Sequence, residues 1–168
     1  IMAIEGEGKV VDHSIRESVI RSTARLVYDD VSDILEKDDP ELTKKYIDIA
    51  DDLKLMGKLA HILRHRRKQK GSLDFDISEA VITLDENENP VSVELEERRT
   101  ANRLIEEFML AANETVAEHF FWLNYPFVYR IHEKPDPEKI MDLKTYLMNF
   151  GIRLKGSADN IYPKTLAD

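Results

Sequence analysis

Side-by-side carboxylates are the first residues in this chain whose type invites a chemical reading. Asp29-Asp30, Asp38-Asp39 and Asp51-Asp52 each set two acids next to each other. Adjacent helical positions do not face one point, so a pair alone forms no two-carboxylate metal clamp. Asp33 with Asp38-Asp39 has the spacing of a phosphoryl-transfer acid cluster, but it falls at a helix end, where solvation or capping is the plainer use. His61 and His65 stand four apart, the spacing of a helical zinc pair. Arg64 and Arg66 around them would repel a cation, and no Glu follows the first histidine. The chain has no cysteine, no Gly-x-Ser-x-Gly and no glycine-rich loop entering a helix, which excludes thiol, serine-nucleophile and phosphate-cradle chemistry.

Aromatic and amide side chains offer a different chemistry. Tyr28 stands at the passage into a helix, and Phe75 follows the basic run Arg64 to Lys70. An aromatic face at such a junction stacks a nucleic-acid base at about 1–3 kcal/mol, or it anchors a core. Asn102, Glu106 and Asn113 share one helical side, since offsets of four and seven return to the same face. Two amides and a carboxylate suit hydrogen bonds to sugar hydroxyls, and equally suit capping loops of the same domain.

The elements that must position these residues follow from pattern. The 168 residues, 42% hydrophobic and 34% charged, are enough for one domain with a core. No run is long and apolar enough for a membrane span, and the absence of cysteine fits a cytoplasmic setting. The net charge of -9 disfavours a stand-alone nucleic-acid binder, although Lys and Arg gather at Arg64–Lys70 and Arg98–Arg103. Ile1 to Ile20, with the turn Gly6-Glu7-Gly8, predicts a hairpin whose second strand is long. A short helix from Tyr28 to Glu36 stops at Asp38-Asp39-Pro40.

Leu42, Tyr46, Ile49, Leu53, Met56, Ala60 and Leu63 then form one stripe along a helix of about six turns, closed by Gly71. Ser78–Leu84 and Val91–Leu95 make a second hairpin around a polar turn. A second long helix covers Arg98 to Trp122, its buried side being Leu104, Ile105, Phe108, Ala112, Val116 and Phe120. Phe127–His132 reads as a short strand. A helix follows over Pro137–Phe150, with Asp136 as N-cap and Gly151 as stop, and Tyr162-Pro163 opens another. Two hairpins, two long amphipathic helices, a short strand and a C-terminal helix define an α+β (mixed α/β) fold. Both chain ends read as cuts through a larger protein.

Four ordered motifs carry a family resemblance. Arg21-Ser22-Thr23-Ala24-Arg25-Leu26-Val27-Tyr28-Asp29-Asp30-Val31, Gly71-Ser72-Leu73-Asp74-Phe75, Asn102 through Asn113, and Tyr129 through Pro135 resemble the RNB catalytic domain of the ribonuclease II/R family. The resemblance implies a partial RNB domain over residues 1–168 of a processive 3′-to-5′ exoribonuclease. That enzyme would hydrolyse single-stranded RNA to nucleoside 5′-monophosphates with Mg²⁺. It also implies RNA-binding roles: Tyr28 near the scissile end, Phe75 clamping the stacked 3′-terminal bases, and Glu106 on the terminal nucleotide. Asn102 and Asn113 are candidate secondary RNA contacts.

The family's metal-binding Asp cluster would precede Ile1, and its catalytic Arg motif would follow Asp168. The flanking cold-shock and S1 domains would also lie outside. No catalytic residue and no Mg²⁺ ligand is therefore expected here, and the chain alone is expected to be inactive and to self-associate through exposed apolar surfaces. The alternative is a non-catalytic RNB-like module that binds RNA or protein.

Overall fold

The computed structural model describes residues 1–73, 80–95, 97–158 and 161–167. Among the described residues, two separate antiparallel hairpins and six helices follow one another along the chain. Strands β1 (Met2–Ile4) and β2 (Val10–His13) pair with a bulge at Ala3/Ile4. The ladder ends where Ser14 and Ile1 exchange hydrogen bonds of 2.9 Å. The expected long second strand therefore stops at His13, and Val19 and Ile20 lie fully in the open. β-branched residues favour extended backbone, but a strand also needs a neighbour to pair with.

Helix α1 (Tyr28–Lys37) ends at Asp38, which adopts a left-handed conformation with φ 50°. Asp39 then caps the short helix α2 (Pro40–Lys45), its Oδ1 accepting from the amides of Glu41 and Leu42 at 2.9 Å. Pro40 occupies the first helical position, where its missing N–H costs nothing. The long stripe is thus split between α2 and helix α3 (Ala50–Gln69). The Tyr46 hydroxyl is drawn to Asp30 Oδ2 at 2.7 Å, and Ile47-Asp48-Ile49 is a poor helix-forming run. The face survives the break: Leu42, Tyr46, Ile49 and Met56 pack against the core, while Leu53, Ala60 and Leu63 are buried. Periodicity reports which side chains turn inward, not whether the backbone between them is continuous.

Strands β3 (Ala80–Leu84) and β4 (Pro90–Leu95) pair across a turn organised by Asp85. Its carboxylate accepts from the amides of Asn87 and Asn89 at 2.8 Å, and the Asn89 bonds lead in holding its pKa below the usual value. Ser78, Glu79 and Phe75 lie outside the described residues. Helix α4 (Thr100–Trp122) runs across α3 and α1, and the core of Val31, Ile34, Leu53 and Ala101 sits where these three helices meet.

The buried line of α4 is Ala101, Leu104, Glu107 and Thr115, so the expected apolar side is rotated and Ile105 stays exposed. Two polar residues go inside because each finds a partner there: Glu107 meets Arg67, and the Thr115 hydroxyl donates to the Ala111 carbonyl at 2.7 Å. Residues 127–132 form no strand. Phe127 instead stacks on Phe120 with ring centres 4.7 Å apart, folding the chain back on the end of α4. Helix α5 (Pro137–Met148) begins at the expected N-cap, Asp136, whose side chain accepts from the Glu138 amide at 2.9 Å. Gly151 follows with φ +76°, and helix α6 (Pro163–Ala167) starts at the expected proline.

Candidate nucleic-acid interface

Tyr28 is the first residue of α1, following an extended Val27. Its side chain is 50% exposed at the mouth of an apolar pocket of about 230 Å³. Leu26, Val31, Leu53, Met56 and Ile105 line the pocket, so the ring borders the three-helix core without entering it. A purely structural anchor would be covered. An aromatic side chain presenting half its surface beside an apolar floor can accept another planar group.

The junction of α1 with α4 absorbs the acids that a metal site would need. Arg99, just before α4, donates to Asp33 at 2.5 Å and Glu36 at 2.8 Å, and lies 3.4 Å from Asp29. The first amides of α4 are satisfied from α1: Thr100 N–H donates to Glu36 at 3.0 Å, and Ala101 N–H donates to the buried Ser32 hydroxyl at 3.2 Å. The Arg99 hydrogen bond, followed by that of Thr100, pulls the Glu36 pKa down to about 2, and Arg99 is itself pushed up. Lys37 and then Arg99 lower Asp33. Lys45 and then Tyr46 lower Asp30, while Lys45 is raised to about 12 by the same contact.

Asp38 pairs with Lys54 at 2.6 Å, and Asp39 caps α2. Among the described residues no group of three acidic or histidine side chains is arranged to hold a metal ion. The carboxylates on this surface hold cations of the protein itself, so the described residues do not fit a Mg²⁺ ion. His65 pairs with Gln69 at 2.9 Å, away from any such site.

Glu106 and Glu107 are neighbours in sequence with opposite fates. Glu107, 4% exposed, receives Arg67 of α3 through two donors, Nη2 at 2.6 Å and Nε at 3.2 Å. Arg67 also donates through Nη1 to the Ser72 hydroxyl at 2.5 Å. Glu106 remains on the rim, ion-paired with Arg98 through Oε2, with Arg67 Nη2 3.9 Å from Oε1. Asn113 is exposed on the same side of α4. Asn102 turns back and accepts from the Arg99 amide at 3.2 Å, the local capping use of a polar stripe. Phase along α4 sets Glu106, Asn102 and Asn113 within roughly 40° of one another and about a quarter turn from the Ile105 side that Tyr28 borders.

The segment after α3 is pinned at its base. Gly71 has φ +95°, and a side chain there would overlap the backbone of Lys164 at the start of α6. Glycine is required twice over, for conformation and for close approach. Arg67, Ser72 and Arg98 were not singled out from the sequence. The apolar periodicity of α4 carries no signal for them, because the inward position of Glu107, which demands a cation within reach, lies off the expected apolar side.

A second face lies between β1–β2, α3 and α4. Arg66 donates to the Gly8 carbonyl at 2.5 Å, and His13 and His119 share a 2.9 Å hydrogen bond. These contacts seat the first hairpin on the helices, and the Arg66–Gly8 contact borders a pocket of about 330 Å³ that includes Lys9, Lys70, Glu114 and Glu118.

The model for the RNB domain matches residues 1–167. Ribonuclease R 1 of Lactococcus lactis is 40% identical over 99% of this chain, and ribonuclease R of Thermotoga maritima is 44% identical over 98%. The chain spans only 20% and 23% of the lengths of those two proteins. Among solved structures, Mycoplasma genitalium RNase R in complex with ribose-methylated single-stranded RNA superposes with a TM-score of 0.86. That match has 22% identity and covers 99% of this chain and 26% of the other. It shows a shared fold, in which the helices and small antiparallel sheets seen here recur. On the match over nearly its whole length, this chain belongs to the RNB domain family.

Proposed function

We propose that this chain is the RNA-gripping part of a 3′-to-5′ exoribonuclease that hydrolyses single-stranded RNA to nucleoside 5′-monophosphates in the cytoplasm. The observation that carries this reading is Tyr28, an aromatic ring left half-exposed beside an apolar pocket in an RNB-family chain. In this reading Tyr28 stacks near the scissile end, Phe75 clamps terminal bases, and Glu106 accepts from the terminal ribose. Asn113 is an exposed secondary contact. Phe75 falls outside the described residues, so its role rests on the motif Gly71-Ser72-Leu73-Asp74-Phe75 alone.

Hydrolysis is assigned to Mg²⁺ held by carboxylates elsewhere in the polypeptide: Asp30, Asp33, Glu36 and Asp38 are engaged by Lys45, Lys37, Arg99 and Lys54, and no described cluster of acids is arranged for a metal. Two-metal phosphoryl chemistry needs anionic ligands converging within about 3.5–4 Å of ion spacing. The chain alone is proposed to be inactive. Its exposed apolar surface on β3–β4 and α5 favours self-association. The test is shortening of a 3′-hydroxyl oligoribonucleotide in Mg²⁺, comparing this chain with the full-length protein. Monophosphate release by the full-length protein only is the expected result. Release by this chain alone would overturn its assigned role.

A further inference from the structure

We propose that the pocket of about 330 Å³ between the first hairpin, α3 and α4 binds a nucleoside monophosphate. Lys9, Arg66 and Lys70 take its phosphate, and Glu114 and Glu118 accept from hydroxyls at its other end. The charges around this cavity are sorted by element. Lys9 comes from the hairpin turn, Arg66 and Lys70 from the C-terminal end of α3, and Glu114 and Glu118 from one face of α4. Among the described residues, the side chains of Lys9, Lys70, Glu114 and Glu118 make no hydrogen bond or ion pair. Two carboxylates one helical turn apart repel each other, and here no cation of the protein relieves them.

The walls between these free ends are fixed. Gly8 is buried against α3, where an added side chain would lie 3.0 Å from Ile62, and Arg66 donates to its carbonyl at 2.5 Å. Arg67 is committed to Glu107 on the same lining, so the charges of that pair cancel. Leu63 and Leu110 add apolar surface.

This sorting decides what kind of phosphate fits. A run of phosphodiesters leaving the lysines would meet Glu114 and Glu118 within the same cavity, which opposes a polyanion. A ligand with one phosphate at one end and donors at the other answers both sides. Ammonium and guanidinium groups donate strongly to phosphate, and ionised carboxylates accept strongly from hydroxyls. The volume is at the small end of ligand pockets, roughly 300–1,000 Å³, which suits a single nucleotide. That the phosphate is carried on a nucleoside rests on the proposed release of nucleoside 5′-monophosphates. Neither Tyr28 nor Glu106 lines this cavity, so the site is separate from the RNA grip.

The experiment titrates the full-length protein with AMP in EDTA by calorimetry, beside inorganic phosphate, and records the melting midpoint of each variant. AMP is expected to bind at least about tenfold more tightly than phosphate. K9Q/K70Q is expected to weaken AMP binding about tenfold, and E114Q/E118Q about two- to fivefold, at unchanged midpoints. Y28A should leave AMP affinity within about twofold of wild type. No AMP binding, AMP affinity unmoved by K9Q/K70Q, or phosphate binding as tightly as AMP would each overturn the site. If K9Q/K70Q lowers the midpoint, E114Q/E118Q decides, and AMP affinity unmoved in that variant refutes the pocket. The RNA grip fails by a different result, single-stranded RNA affinity unmoved in both Y28A and E106Q.

Discussion

Helix α4 presents two sides that solve opposite problems. Toward α3 and α1 it is sealed: Ala101 and Leu104 are buried, and Glu107 is neutralised by a two-donor guanidinium. Toward the rim it carries Glu106 and Asn113 beside the side that Tyr28 borders, with acceptors and an aromatic ring in reach of solvent. The sealed side fixes the geometry, and the open side uses it. Hairpin β3–β4 sharpens the contrast, because it buries none of its residues and leaves Val81, Ile82, Val91 and Val93 exposed. Stability in this chain therefore resides in three helices, and substitutions should divide along that line.

The largest effect is expected from Glu107→Ala, which removes the buried carboxylate that two donors of Arg67 hold between α3 and α4. Loss of one partner of a buried pair costs about 3–5 kcal/mol, read as a large fall in the urea midpoint. A change of less than about 1 kcal/mol would mean that the sealed side does not depend on this pair. Ile34→Ala, at a fully buried position where α1 meets α3 and α4, is expected to cost about 2–5 kcal/mol by the same measurement. Gly71→Ala is expected to follow at about 1–3 kcal/mol, from left-handed strain and overlap with Lys164.

Acid should next undo the α1–α4 junction. The folded-state pKa of Glu36 is about 2, below its ordinary 4.5, so its contribution is present above pH 4.5 and is lost as pH falls toward 2. Asp33, at the same junction, is shifted in the same direction and adds to the loss. Arg99→Met should flatten the acid limb of a stability–pH profile between those values, and an unchanged limb would remove Arg99 as its cause. The smallest effect belongs to the exposed hairpin. Val93→Ser should change stability by no more than about 0.5 kcal/mol while reducing concentration-dependent association, measured by sedimentation.

The inward face of α3 was legible in the sequence, whereas that of α4 is rotated from its expected apolar side. Leu53, Ala60 and Leu63 recur at helical spacing and are buried, and the caps Asp39 and Asp136 stand where turn chemistry requires them. What was not legible depends on partners distant in sequence. Val19 and Ile20 look like strand residues but stand exposed outside the ladder, and in 127–132 Phe127 and Tyr129 make aromatic contacts where a ladder was expected. The polar members of the α4 core could not be placed without Arg67, forty positions away. Of the candidate site, Tyr28 emerged by motif and is found exposed, whereas Asn102 is found serving its own helix.

The most direct test of the division within α4 compares Glu106→Gln with wild type in the full-length protein, measuring single-stranded RNA affinity and melting midpoint on the same sample. A rim residue that touches RNA predicts a clear loss of affinity with the midpoint unmoved, since a partly exposed pair with Arg98 contributes at most about 1 kcal/mol. Wild-type affinity with a lowered midpoint would contradict the account, and would make Glu106 another structural acid like its neighbour.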